Sequence, residues 1–154
     1  MMDSRALRDA FGCFATGVTI VTSFDETGTQ VGFTANSFAS VSLDPPMLLV
    51  CPARTASCLP AIRHSRVFGV NVLSAGQQAI AERFATRGVE RFEHGEWVES
   101  DGGVLLLEGA CANFACSLDQ ELDAGDHVIL LGKIESFRAA CERTALMYIR
   151  GCYA

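Results

Sequence analysis

Three short stretches carry residues suited to holding a polar, anionic ligand. In "GFTANSFASVSLDPP" (32–46) the strand period of two sends Gly32, Thr34 and Asn36 to one face. Gly32 leaves space there, and Thr34 and Asn36 offer short donors and acceptors, as a sheet facing a flat polar ring requires. The same pattern also describes an ordinary solvent-facing strand side. In "ARTASC" (53–58) Arg54, the hydroxyls of Thr55 and Ser57 and free backbone N–H groups meet just before a helix, where a phosphate monoester would be favoured. A plain helix cap explains that pattern equally. In "AGDHVILLG" (124–132) His127 opens a strand after a tight turn, which would aim its ring over a pocket mouth or simply into solvent.

Other chemistries are disfavoured. The seven cysteines, at 13, 51, 58, 111, 116, 141 and 152, form no CxxC pair. Cys111 and Cys116 do not have zinc-knuckle spacing, and the histidines 64, 94 and 127 form no HExxH. The cysteines read as buried reduced thiols, and no metal site is expected. The net charge is −6, with Lys133 the sole lysine among 12 basic residues and no basic cluster, which argues against nucleic acid. No apolar run approaches the ~20 residues of a membrane span. The opening "MMDSRALRDAFG" lacks the apolar core of a signal peptide, so a soluble, cytoplasmic protein is expected.

The elements that must position these residues follow from pattern. A chain of 154 residues, 49% hydrophobic and 19% charged, suits one domain spanning 1–154. Asp3 can cap a helix whose Leu7, Ala10, Phe11 and Phe14 form an apolar stripe, expected to be buried. "VTIVTSF" (18–24) reads as a strand, "DETG" (25–28) as a turn, and Thr29 to Phe38 as the pairing strand. "MLLVC" (47–51) is a third strand. Pro60 opens a helix after the 53–58 loop, and "VFGVNVL" (67–73) is a strand. Ser74 with Gln77 makes a capping box for a helix reaching Phe84. Residues 86–103 read as a long polar surface loop with some helical turns. After Val104, two strands flank "DAGD" (123–126), where Gly125 is free to take positive φ, and "ALMYIRG" (145–151) is a short last strand. The sum is mainly β, with six or seven strands and two or three short helices.

Taken together, the motifs resemble the flavin reductase-like domain family, the FMN-binding split barrels that supply reduced flavin to two-component monooxygenases. The matching stretches are "FATGVTIVTS", "GFTANSFASVSLDPP", "LLVCPARTASCLPAI", "VFGVNVLSAGQQAIAERFA", "RFEHGEW", "GDHVILLGKIESF" and "LMYIRGCY". They occur in the family's order from about Leu7 to Tyr153.

The resemblance implies a six-stranded antiparallel Greek-key split barrel, forming homodimers, with FMN or FAD as cofactor and NADH or NADPH as co-substrate. By position, Thr34, Ala35, Asn36, Ser37 and Ser40 would contact the isoalloxazine and ribityl chain, with Cys51 beside them. Arg54, Ser57 and Cys58 would hold the flavin phosphate, and Phe84 would border the flavin. His127 and Tyr153 would face the nicotinamide nucleotide, with His127 positioning it. Position 58 is usually Ser or Thr in this family, and a thiol is the weaker donor. The implied activity is NAD(P)H-dependent flavin reduction, feeding a partner monooxygenase. The alternative is a tightly FMN-binding electron-transfer or redox-sensing flavoprotein without diffusible-flavin reductase activity.

Overall fold

The computed structural model describes residues 1–154. Helix α1 (Ser4–Gly12) starts where Asp3 accepts backbone hydrogen bonds from Arg5 and Ala6. Its stripe is not buried. Phe11 is 71% and Phe14 78% exposed. The periodicity correctly marks one apolar face, but nothing else in the chain covers that face.

Strand β1 (Thr16–Gly17) leads into β2 (Thr19–Phe24), which is buried on both faces. Its polar residues are satisfied internally: Thr19 Oγ1 donates to Ala35 O (2.8 Å), Thr22 Oγ1 to Leu105 O (2.7 Å) and Ser23 Oγ to Val67 O (2.9 Å). The Asp25 carboxylate accepts from the N–H groups of Thr27 and Thr29, closing the turn to β3 (Gln30–Ala35). The expected single strand through Phe38 breaks at Asn36 and Ser37. Beyond the break, Phe38–Leu43 forms a separate strand, β4, paired with β5 (Pro46–Val50) across a bulge between Ser40 and Ser42.

Helix α2 (Leu59–Ser65) carries Pro60 in its first turn, and β6 (Val67–Val72) follows. The capping box forms, with Gln77 Oε1 accepting from Ser74 N at 3.0 Å, and α3 spans Gln78–Phe84. The polar stretch after it has more structure than its composition suggested. Strand β7 (Trp97–Glu99) pairs with β8 (Leu105–Leu107), and Trp97 packs inward on Phe84 and Phe92. The long hairpin joins β9 (Ala112–Ala124) to β10 (His127–Ala139), with Gly125 at φ 65°. Strands β11 (Met147–Ile149) and β12 (Cys152–Tyr153) end the chain.

The main sheet has seven antiparallel strands in the order β3-β2-β6-β9-β10-β5-β4, one more than the six expected. Its two edges, β3 and β4, are consecutive in sequence and not paired with each other. The barrel is therefore split between them, and the residues crossing the split are Asn36 and Ser37. A second sheet, β1-β11-β12, pairs the last two strands of the chain with β1. The core falls into two clusters. One is centred on Leu48, Val50, Ile62, Phe68 and Leu130, the other on Ile20, Leu73, Phe84, Leu107 and Leu146. No helix is long and apolar enough to cross a membrane.

Candidate functional site

The residues singled out by sequence gather around the split. Loop 53–58 and the hairpin tip at 123–127 are joined by backbone pairing of Ala53 with His127 and by Arg54 N donating to Asp126 O at 3.0 Å. Ser37 sits directly beside Cys51: its hydroxyl donates to Cys51 O and accepts from Cys51 N, both at 3.1 Å. Thr34, Asn36 and Tyr153 line a cavity of about 190 Å³ with Val18, Ala85 and Tyr148. Ser57 and Cys58 line a larger one, of about 860 Å³, with Phe33, Thr55 and residues of the 86–103 stretch. Ser40 is exposed on β4, and Ala35 is buried with its carbonyl taken by Thr19.

Several expected roles look different in three dimensions. A Cβ on Gly32 would lie 2.9 Å from Val21 O, 3.0 Å from the Phe84 ring and 3.2 Å from the Phe92 ring. The missing side chain thus makes room for the protein's own aromatics. Phe84 is 1% exposed and meets Phe92 edge-on with centroids 4.9 Å apart, so it backs β3 from the core and has no surface free to border a ligand. The Thr34 hydroxyl is already committed to Ala81 O at 2.6 Å, which fixes α3 against β3. Arg54 is committed as well. Its Nε donates to Gly125 O at 2.6 Å and its guanidinium pairs with Asp123 at 3.0 Å. It anchors the hairpin and does not line the 860 Å³ cavity.

The cations that do line that cavity are Arg87 and Arg91. Sequence reading passed over both, because they lie in the polar stretch and meet loop 53–58 only through the fold. Arg91 Nη1 donates to Gly32 O at 2.6 Å on the edge strand, and the same guanidinium reaches Thr86 O. Arg87 has no side-chain hydrogen bond or ion pair within the chain, which leaves its guanidinium available. The one sequence signal was the run of Arg87 and Arg91 around Gly88.

The titratable groups fit a binding site with no strong acid or base. Burial pushes the Cys58 thiol up to about 12 and raises Cys51 as well, so both are uncharged at neutral pH. Cys58 is the N-cap of α2 but its side chain makes no capping bond. Of the seven cysteines only Cys58 and Cys116 are buried, while Cys13, Cys141 and Cys152 are exposed, contrary to the expectation of buried thiols. His127 is exposed at the hairpin tip, with Nδ1 2.7 Å from Asp126 Oδ1, and that hydrogen bond holds the Asp126 carboxyl below its usual value. His127 lines neither cavity. Burial, with the nearby Tyr148 and Glu82, raises the Tyr153 phenol, so it stays a neutral donor.

The arrangement can take a flat ring near Tyr148, Tyr153 and Asn36 and an anion among Ser57, Thr55 and Arg87. A cavity of about 860 Å³ lies within the ~300–1,000 Å³ usual for small-molecule sites. The hydroxyl and guanidinium donors suit a phosphate. A ring pocket and a phosphate site are each, taken separately, what a flavin mononucleotide needs.

Comparison with known proteins agrees. Residues 11–154 match the family profile described as flavin reductase like domain. The chain is 42% identical over 153 residues, 99% of its length and 66% of the relative's, to the reductase subunit of stachydrine N-demethylase from Rhizobium meliloti. It is 46% identical over 149 residues, 97% of its length and 48% of the relative's, to the reductase component of the flavin-dependent trigonelline monooxygenase of Acinetobacter baylyi. The chain thus spans about two thirds of the first of these relatives and about half of the second. Among solved structures, the NADH:FAD oxidoreductase of Streptomyces globisporus, in complex with NAD and FAD fragments, superposes with a TM-score of 0.93 at 35% identity, covering 100% of this chain and 94% of that one. On the match of profile, sequence and split barrel together, this chain belongs to the flavin reductase-like domain family.

Proposed function

We propose that this protein is an NAD(P)H-dependent flavin reductase that releases reduced flavin to a partner monooxygenase. The observation that carries the reading is the 860 Å³ cavity, where the unpaired Arg87 faces the hydroxyl-bearing loop 53–58 beside the edge strand β3. Its open setting favours a flavin, FMN or FAD, that exchanges. The functions of the relatives, a reductase component of a flavin-dependent monooxygenase and an NADH:FAD oxidoreductase, support the same reading.

A bound flavin would supply the hydride-accepting chemistry, so the hard step would be the cofactor's. The chain's own residues bind and orient. Arg87, Ser57 and Thr55 would hold the phosphate, with the backbone N–H groups ahead of α2 replacing what the weak Cys58 thiol withholds. Asn36 and the Ser37–Cys51 pair would fix the ring's polar edge at the split. Tyr148 and Tyr153, packed edge-on with centroids 5.2 Å apart, would wall the ring pocket and exclude water. His127, steadied by Asp126, would position the nicotinamide nucleotide. Replacing His127 with Ala should raise KM for NADH or lower kcat; steady-state kinetics indistinguishable from the parent would remove that role.

A homodimer is part of this proposal, supported by the exposed Val41 and Leu43 of the edge strand β4 and by Phe137 on β10. So is a cytoplasmic setting, where nicotinamide nucleotides are abundant. To test the activity, the purified protein's visible spectrum is recorded, and NADH and NADPH consumption is followed with added FMN, FAD or riboflavin. Colourless protein with flavin-dependent NADH oxidation supports the proposal. Tightly bound yellow flavin without turnover would favour a flavin-holding electron-transfer protein.

A further inference from the structure

A cavity of about 210 Å³ lies at the base of the β9–β10 hairpin, between the link from β8 to β9 and the turn that follows β10. The hairpin's tip, at 123–127, belongs to the site described above. Each of the two strands has 13 residues, so tip and base are roughly 40 Å apart at ~3.3 Å per residue. The cavity is thus separate from both cavities at the split, and none of the chemistry assigned there uses it.

Its walls are fixed by hydrogen bonds. Glu108 N donates to Glu96 O at 2.8 Å, and Gln77 Nε2 to Glu108 O at 2.9 Å. Gly109 turns the chain at φ 78°, and Cys111 N donates to Val72 O at 2.8 Å. From the facing side, Ala140 N donates to Cys111 O at 2.7 Å, and Arg143 N closes its turn on Ala140 O at 3.0 Å. Together these bonds bring two guanidinium groups to one small space. Arg138 Nε donates to Asn113 Oδ1, and its Nη2 pairs with Glu108, both at 2.7 Å. Arg143 Nη1 donates to Ala110 O at 2.7 Å, and the rest of that guanidinium has no partner in the chain.

Donors outnumber acceptors in this space. Glu108 is the sole acid lining it, and Arg138 already holds that carboxylate. Asn113 Oδ1 and Ala110 O are taken by the same two arginines. The Gly109 N–H, also on the lining, donates to nothing in the chain. Two guanidinium charges against one carboxylate leave a net positive cavity with unused donors. We propose that it binds a small oxyanion, a phosphate or a carboxylate. The free edge of the Arg143 guanidinium would take two of its oxygens, and the Gly109 N–H would add a backbone donor. Size narrows the choice. A cavity of about 210 Å³ holds about seven waters at ~30 Å³ each, and it falls below the ~300 Å³ at which sites for larger organic ligands begin. Inorganic phosphate or an acid of a few carbons fits; a nucleotide does not.

The test follows the Gly109 amide by NMR while inorganic phosphate or acetate is added to the flavin-free protein, with sodium chloride holding the ionic strength constant. The Gly109 resonance should shift along a saturable curve. Saturation by phosphate alone makes the ligand a phosphate, by acetate alone a carboxylate, and by both an oxyanion of either kind. Arg143→Gln should weaken the binding by about ten-fold, the effect of losing one charge-assisted contact. Arg143→Lys, which keeps the charge and loses the fork, should fall between the two. Arg87→Ala should leave the Gly109 curve unchanged, because any phosphate in the flavin cavity is held elsewhere. A Gly109 resonance that does not saturate with either anion, or that follows chloride as closely, would overturn the site, and so would equal affinities in the parent and Arg143→Gln. The parent titration decides the matter even if the Arg143 variants fail to fold, and it needs neither flavin nor turnover.

Discussion

Replacing Phe84 with Ala is expected to lower unfolding free energy by about 3–5 kcal/mol, the usual cost of deleting a fully buried aromatic ring. Phe84 closes the second core cluster, where it meets Phe92 and Trp97 with ring centroids 4.9 and 5.4 Å away. Its ring also fills the space left by Gly32, so the loss would leave a cavity directly behind β3. The backbone of Gly32 is held from the other side by Arg91, and collapse into that cavity would break the bond. Against a typical total of about 5–15 kcal/mol, such a loss is a large fraction. Urea denaturation measures it directly. Gly32→Ala should destabilise for the converse reason, since its Cβ would meet a backbone carbonyl at 2.9 Å that cannot rotate away. A loss below ~1 kcal/mol for Phe84→Ala would show that the ring does not support the strand as described.

The second large effect is on binding. Arg87→Ala should weaken FMN binding about ten- to a hundred-fold, because a hydrogen bond to a charged group contributes ~1.5–3 kcal/mol. Riboflavin, which has no phosphate, should bind the variant and the parent alike. The loss for FMN should shrink as salt is added, since an exposed guanidinium is screened. Arg54→Ala supplies the control: it would loosen the 123–127 hairpin, weakening FMN and riboflavin together. Fluorescence quenching of the two flavins distinguishes these patterns. Equal losses for both flavins in Arg87→Ala would show that Arg87 shapes the cavity and leaves the phosphate alone.

These two residues also mark where the sequence was readable. The strand alternation, the Ser74–Gln77 box, the "DETG" and "DAGD" turns and the Pro60 helix are local signals, and the structure contains each. Long-range pairing was less legible. The stretch 39–43 carries no strand signal because its hydroxyls lack strand character, yet β5 supplies a partner and tertiary pairing overrides propensity. The α1 stripe had the right period, but periodicity does not say what an apolar face will meet. Chemistry showed the same division. The motifs pointed to loop 53–58 and the 123–127 hairpin, which the fold brings together, and Arg54 was the natural phosphate ligand by proximity in sequence. Only the fold reveals that the hairpin, far along the chain, occupies Arg54, and that Arg87 reaches the same loop unpaired. Gly32 likewise looked like space for a ligand until the Phe84 and Phe92 rings, both distant in sequence, were seen to fill it.

The proposed activity is tested most directly by anaerobic reduction of FMN held in many-fold excess over the protein, started with NADH. The expected result is bleaching of all the flavin at a rate proportional to protein concentration, since a reductase that exchanges its flavin turns over repeatedly. Bleaching that stops at one flavin per chain, or none above the protein-free rate, would contradict it.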